Sequence, residues 1–157
     1  MGKKIKLYTG SIGSIIPIEA GLREDDIKKI VRAHFASPKK VVVPVRVHPY
    51  NSKLLVLLDG HNTTCVADVL NEENPGAFEL YGWVAESKSD FIPRFSADYL
   101  ITDGMGDVCI ENHYGLKCVH SGRFRLDVEG VPDSISELRA RYDFLNSADA
   151  LRKFVFG

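Results

Sequence analysis

Asp59-Gly60-His61-Asn62-Thr63-Thr64 follows directly on the apolar run Leu54-Leu55-Val56-Leu57-Leu58. A carboxylate, an imidazole, an amide and two hydroxyls thus gather where a buried strand breaks into a helix. A helix start presents N–H groups without intrahelical partners, and the helix dipole places partial positive charge there. Such a turn suits a phosphate or carboxylate, with Asp59, Gly60, His61, Asn62, Thr63 and Thr64 as the expected ligand contacts. A plainer account stands beside this one: Asp59-Gly60 forms a tight turn, and Asn62 or Thr63 caps the helix.

Other residues invite chemistry less strongly. Cys109, His113, Cys118 and His120 offer sulfur and imidazole ligands that suit zinc, yet no CxxC pair or finger spacing supports a site, and the metal is left open. A hairpin turning about His113 and Tyr114 would set Cys109 opposite Cys118. Arg123-Phe124-Arg125 alternates charge with an aromatic ring, as a strand stacking bases would, and as any strand with one wet face does. Tyr81 with Trp83, and Phe91 with Phe95, fit core packing or a self-association patch better than a ligand wall.

Several elements must position these residues. A short strand is expected over 5–8, a flexible polar loop over 9–14 and a helix over 23–36. In that helix Ile27, Ile30 and Val31 recur at helical spacing, and Glu24, Asp25 and Asp26 sit at its positive end. Ser37-Pro38 ends it. Residues 41–47 and 54–58 read as a hairpin, with Pro44 forcing an unpaired edge or a bulge. Cys65, Val66, Val69 and Leu70 line one face of a second helix whose other face is polar, and Asn74-Pro75-Gly76 closes it. A strand near 78–85, interrupted at Gly82, a short helix at 96–101 and a hairpin of 108–111 with 116–120 follow, with 123–128 as a third strand. Ser134 and Glu137 form a capping box for a C-terminal helix, and Leu151 and Phe154 dock a last turn.

The totals set bounds. A chain of 157 residues, 45% hydrophobic and 26% charged, buries a core of its own and reads as one α+β domain over 1–157, a small mixed sheet with packed helices. Its 20 basic and 21 acidic residues lack the basic excess of a nucleic-acid-coating protein. No apolar run approaches the ~20 residues of a membrane span, so no membrane partner is expected. The three cysteines suit a reducing compartment, which together with the lack of a secretory pattern in 1–6 points to the cytoplasm.

The order strand, helix, hairpin, Asp-Gly-His turn and helix over residues 15–85 resembles the ParB/sulfiredoxin superfamily. Its members carry Asp-Gly-His-His-Arg, Gly-Glu-Arg-Arg or Gly-Gly-Cys-His-Arg at this turn. Asp59-Gly60-His61 is similar to the first of these, the form of the ADP-dependent free-serine kinases, whereas Asn62 and Thr63 replace its second His and its Arg. The resemblance implies a ParB/sulfiredoxin-like fold, a nucleotide (ADP or ATP) with Mg²⁺, and phosphoryl transfer or nucleotide hydrolysis. In that chemistry Asp59 and His61 would contact metal or phosphate, and Glu19 would take a proton from the attacking hydroxyl. Losing the Arg removes a bidentate phosphate clamp, for which His61, Arg23, Arg46 or a metal ion must compensate. Sulfiredoxin chemistry needs a Cys inside the turn, and Cys65 lies beyond it on the apolar side of the helix. The rival function is a noncatalytic adaptor of ParB-like fold that binds DNA or a protein.

Overall fold

The computed structural model describes residues 3–7, 11–48, 51–84, 100–101, 110–111, 118–120, 124–126 and 131–157. Strands β1 (Lys3–Leu7), β2 (Val41–His48), β3 (Asn51–Leu57) and β4 (Leu80–Val84) form one sheet in the order β1-β4-β2-β3. β2 runs parallel to β4, and the other two pairings are antiparallel, so the sheet is mixed. Helices α1 (Glu24–Ala36) and α2 (His61–Glu73) and the C-terminal α3 (Ile135–Arg139) and α4 (Ala148–Phe156) complete an α+β architecture. None of the described helices is long and apolar enough to cross a membrane.

Strand alternation decides which side of the sheet is packed. Leu7, Val43, Val45, Leu57, Leu80 and Val84 join Ile27 and Val31 of α1, Val66 and Val69 of α2, and Ile135, Leu138 and Leu151 in one core. The opposite face of β4 carries Tyr81 and Trp83, both half-buried, and the Lys4 ammonium lies 5.2 Å from the centre of the Tyr81 ring. β4 runs unbroken through Gly82.

Pro44 sits in an interior strand. Its carbonyl accepts from Leu58 N–H at 3.0 Å, so the donor it lacks falls on the β3 side, at the point where β3 has already ended. The bulge lies elsewhere, between Val47 and His48. With no return bond from Pro44, the chain after Leu57 is free to leave the sheet and turn at Asp59.

Two expectations fail because residues that read as solvent-facing in the sequence are buried. Of the expected 9–14 loop, residues 9 and 10 lie outside the described residues, and Ile12–Ser14 is a 3₁₀ turn with Ile12 and Gly13 buried, where a Cβ on Gly13 would collide with Ser136 Oγ. The polar face of α2 is not a solvent face either. His61, Thr64, Asp68 and Asn71 are all buried. Asn71 exchanges hydrogen bonds with Phe78 N–H (2.8 Å) and C=O (3.0 Å), and Asp68 accepts from Arg139 Nη1 at 3.0 Å. These matched bonds make the burial of Asn71 and Asp68 affordable.

In the tail, Ser134 Oγ accepts from Glu137 N–H at 3.2 Å. Glu137 Oε2 reaches back to Asp133 N–H at 3.0 Å, one residue earlier than the standard capping box. Ser147 caps α4 through Ala150 N–H, and Phe154 stacks on Phe144 with ring centres 3.9 Å apart.

Of the remaining elements, one departs from expectation. Leu100–Ile101 (β5) is extended rather than helical and pairs with Ile110–Glu111 (β6). Cys118–His120 (β7) pairs with Phe124–Leu126 (β8), setting Cys118 opposite Leu126. Cys109, His113, Phe91, Phe95 and Arg123 lie outside the described residues.

Candidate functional site

The turn between β3 and α2 admits only glycine at its centre. Gly60 has φ 81°, in the left-handed region, and a Cβ there would lie 2.6 Å from Val43 Cγ1. Gly60 is the N-cap of α2, so the helix begins with no capping side chain at that position. Neither expected cap fills the role. Asn62 Oδ1 accepts instead from Arg23 N–H at 2.9 Å and so ties the start of α1 to the start of α2. Thr64 is buried behind the turn, with its hydroxyl bonded to Gly60 C=O at 2.8 Å. Asp59 Oδ1 accepts from Gly60 N–H at 2.8 Å, so one amide of the notch is already engaged by the chain's own carboxylate.

His61 is the organising side chain. Its ring is wholly buried, and Nε2 accepts from Ile18 N–H at 2.9 Å. That bond assigns the proton to Nδ1. Nδ1 lies 3.5 Å from Glu19 Oε2, too long for a hydrogen bond, and has no hydrogen-bond partner. Burial drives the His61 pKa down to about 3. The nearby Glu19 carboxylate favours the charged ring, but a second proton would have to displace Ile18 N–H, so the neutral form wins. His61 thereby fastens the 15–20 segment to α2 and aims an N–H towards Glu19. With Nε2 engaged, donation from Nδ1 is the chemistry left to it.

These residues surround a cleft of about 690 Å³. Glu19, Asp59, Gly60, His61, Asn62 and Thr63 all line it, as does Arg23, whereas Thr64 and Arg46 are not among its walls. The structure adds Asp26, Lys29 and Ile30 from α1, which sequence reasoning did not place there. Their signal was present, since 23, 26 and 29/30 share a helical face. What was missing was that this face meets the start of α2. Two long-range bonds hold the rim: Leu22 N–H donates to Tyr142 Oη at 2.8 Å, and Arg141 Nη1 donates to Ala20 C=O at 2.9 Å.

The cleft is mixed in charge, with carboxylates at Glu19, Asp26 and Asp59 facing Arg23 and Lys29. Among the described residues no group of three or more His, Cys, Asp or Glu converges on a metal position. Cys65 is buried, and desolvation raises its thiol pKa well above the ordinary value, which suits packing rather than redox chemistry. No protein-family model, curated protein or solved structure matches this chain.

Proposed function

We propose that this cleft binds a phosphorylated small molecule, in the form of a nucleotide such as ADP or ATP with Mg²⁺, in a protein of ParB/sulfiredoxin-like kind. The observation that carries the proposal is the start of α2, without a capping side chain, opening on a roomy cleft whose wall holds a buried imidazole N–H lacking a partner. Backbone N–H groups at a helix start and Lys29 and Arg23 would take phosphate oxygens. The three carboxylates oppose a bare polyphosphate, which argues for a divalent ion between them. Mg²⁺ is commonly held by substrate phosphates plus one or two carboxylates, and Glu19, Asp26 and Asp59 line the cleft where such phosphates would lie. For phosphoryl transfer or hydrolysis, Glu19 is the group to orient an attacking hydroxyl or water, and His61 is its positioning residue.

Thermal shift with ADP, ATP, CTP and pyrophosphate tests this directly. Melting temperature should rise with nucleotide and Mg²⁺ together, and by less without Mg²⁺. Flat curves in every combination would end the proposal. A second function, a DNA-binding adaptor, is favoured by one feature, the outer sheet face on which Lys4 covers Tyr81 beside Trp83. Salt-sensitive retention of DNA without any nucleotide shift would select it.

A further inference from the structure

A second pocket, of about 390 Å³, adjoins the polar cleft at Ile30 and Thr63, which line both. It lies where α1 gives way to β2. Ser37 closes the helix with its N–H on Ala33 C=O at 3.0 Å, and Val41 opens the strand with its N–H on Glu79 C=O, also at 3.0 Å. Ile30, Ala33 and Val41 form an apolar wall with Phe78. That wall is preformed: the Asn71 amide bonds both the N–H and the C=O of Phe78, and the His34 ring stacks on the Phe78 ring with centres 4.9 Å apart. A ligand entering here has little to order first.

Charge separates this pocket from its neighbour. The polar cleft has Glu19, Asp26 and Asp59 in its walls, whereas the second pocket has no carboxylate among the described residues that line it. Its cation is Lys39, whose side chain has no ion pair or hydrogen bond with another described residue. His34 does not compete for an anion, because burial lowers its pKa and leaves the ring neutral at neutral pH. Ser37 adds a hydroxyl to the same lining. The carbonyl end of α1 supplies this region with only about half a negative charge, less than a carboxylate would bring to Lys39. An uncharged apolar molecule would leave the ammonium unused, and a bare phosphate would leave the apolar wall unused. A molecule with an apolar body and one carboxylate uses both.

We propose that this pocket is a binding site for a small apolar monocarboxylate, its hydrocarbon body on Ile30, Ala33, Val41 and Phe78 and its carboxylate on Lys39 and Ser37. Neither the site nor the ligand class depends on what the polar cleft binds. Each methylene buried is worth about fourfold in affinity, and a solvent-facing Lys–carboxylate pair up to about fivefold. Chain length therefore sets most of the affinity, and the head group sets the preference for an acid.

Calorimetry and amide chemical shifts on the full chain test it with butyrate, hexanoate and octanoate, and with hexanol and hexylamine as neutral and cationic probes of one length. Affinity should rise about fourfold per methylene along the acids. At low salt hexanoate should exceed hexanol about fivefold, with hexylamine weakest. Hexanoate should move the amides of Ala33, Ala36 and Val41 and leave those of Glu19 and Asp59 in place. Lys39 and Ala33 are both exposed, so their substitution leaves the core intact. Lys39→Gln should bring hexanoate down to the affinity of hexanol, and Ala33→Trp, by filling the space, should weaken both. Hexylamine binding as well as hexanoate, a Lys39→Gln chain that keeps the preference for the acid, or shifts centred on Glu19 and Asp59 would each overturn the proposal. So would no binding of any probe at millimolar concentration, or a dimer that Ala33→Trp splits, which would give the pocket to a second copy of the chain.

Discussion

At the residue scale His61 joins stability to the site. Its folded-state pKa of about 3 lies below the ordinary 6.5, so between those values the unfolded chain holds a proton that the native ring does not. Stability is therefore full above the unfolded value and falls as pH drops, at about 1.4 kcal/mol per pH unit, until the folded value is reached. Urea denaturation at a series of pH values should show this slope below pH 6.5. His61→Gln, which keeps an acceptor for Ile18 N–H but does not titrate, should flatten it, and an unchanged slope would assign acid sensitivity to other groups. Part of this was legible beforehand. An imidazole beside Asp59-Gly60 at a strand-to-helix turn marked the place, and Gly60 marked the left-handed residue. The division of labour between the two ring nitrogens was not, because it depends on Ile18 N–H and Glu19, brought in from another part of the chain.

At the scale of elements, α2 is held as much by a polar tie as by its apolar stripe. Arg139, at the end of α3, donates to Asp68 Oδ2 (3.0 Å), Glu72 Oε2 (2.6 Å) and Leu145 C=O (2.9 Å). Burial raises the Asp68 pKa, and the bond to Arg139 acts in the opposite direction. Arg139→Met should cost about 3 kcal/mol by leaving a buried carboxylate unmatched, and adding Asp68→Leu should recover much of that loss. Urea midpoints for the two single variants and the double variant check it, with additive costs counting against a coupled pair. Apolar periodicity located α1, α2 and the β2–β3 hairpin well because each is encoded within its own few turns or residues. The same periodicity misassigned the polar side of α2, since a face built of Thr64, Asp68 and Asn71 looks wet until an arginine from α3 and the Phe78 backbone arrive to satisfy it. Leu100–Ile101 was misread as helix because a two-residue strand has no period of its own, only a partner at Ile110–Glu111.

At the scale of the molecule, the cleft depends on a C-terminal segment that contributes no wall to it. Tyr142 and Arg141 hold the 20–22 backbone in place, and Ile135 N–H binds Ile15 C=O at 2.8 Å. Tyr142→Phe removes the acceptor for Leu22 N–H. It should lower stability by about 1 kcal/mol and speed amide exchange at 20–23, with weaker nucleotide binding as the consequence. If exchange there stays at its original rate, the tail is a passive neighbour of the site. By itself the sequence determined an α+β chain with a strand-to-helix turn at 59–64 and an amphipathic helix ahead of it, because strand alternation, helix period and glycine's freedom at positive φ act over short stretches. Only the tertiary structure decided that Glu19, α1 and the turn share one cleft, that Thr64 lies behind it, and that an apolar pocket continues it. Those outcomes follow from side chains and backbone groups distant in sequence meeting where buried hydrogen bonds had to be satisfied, which no local pattern encodes.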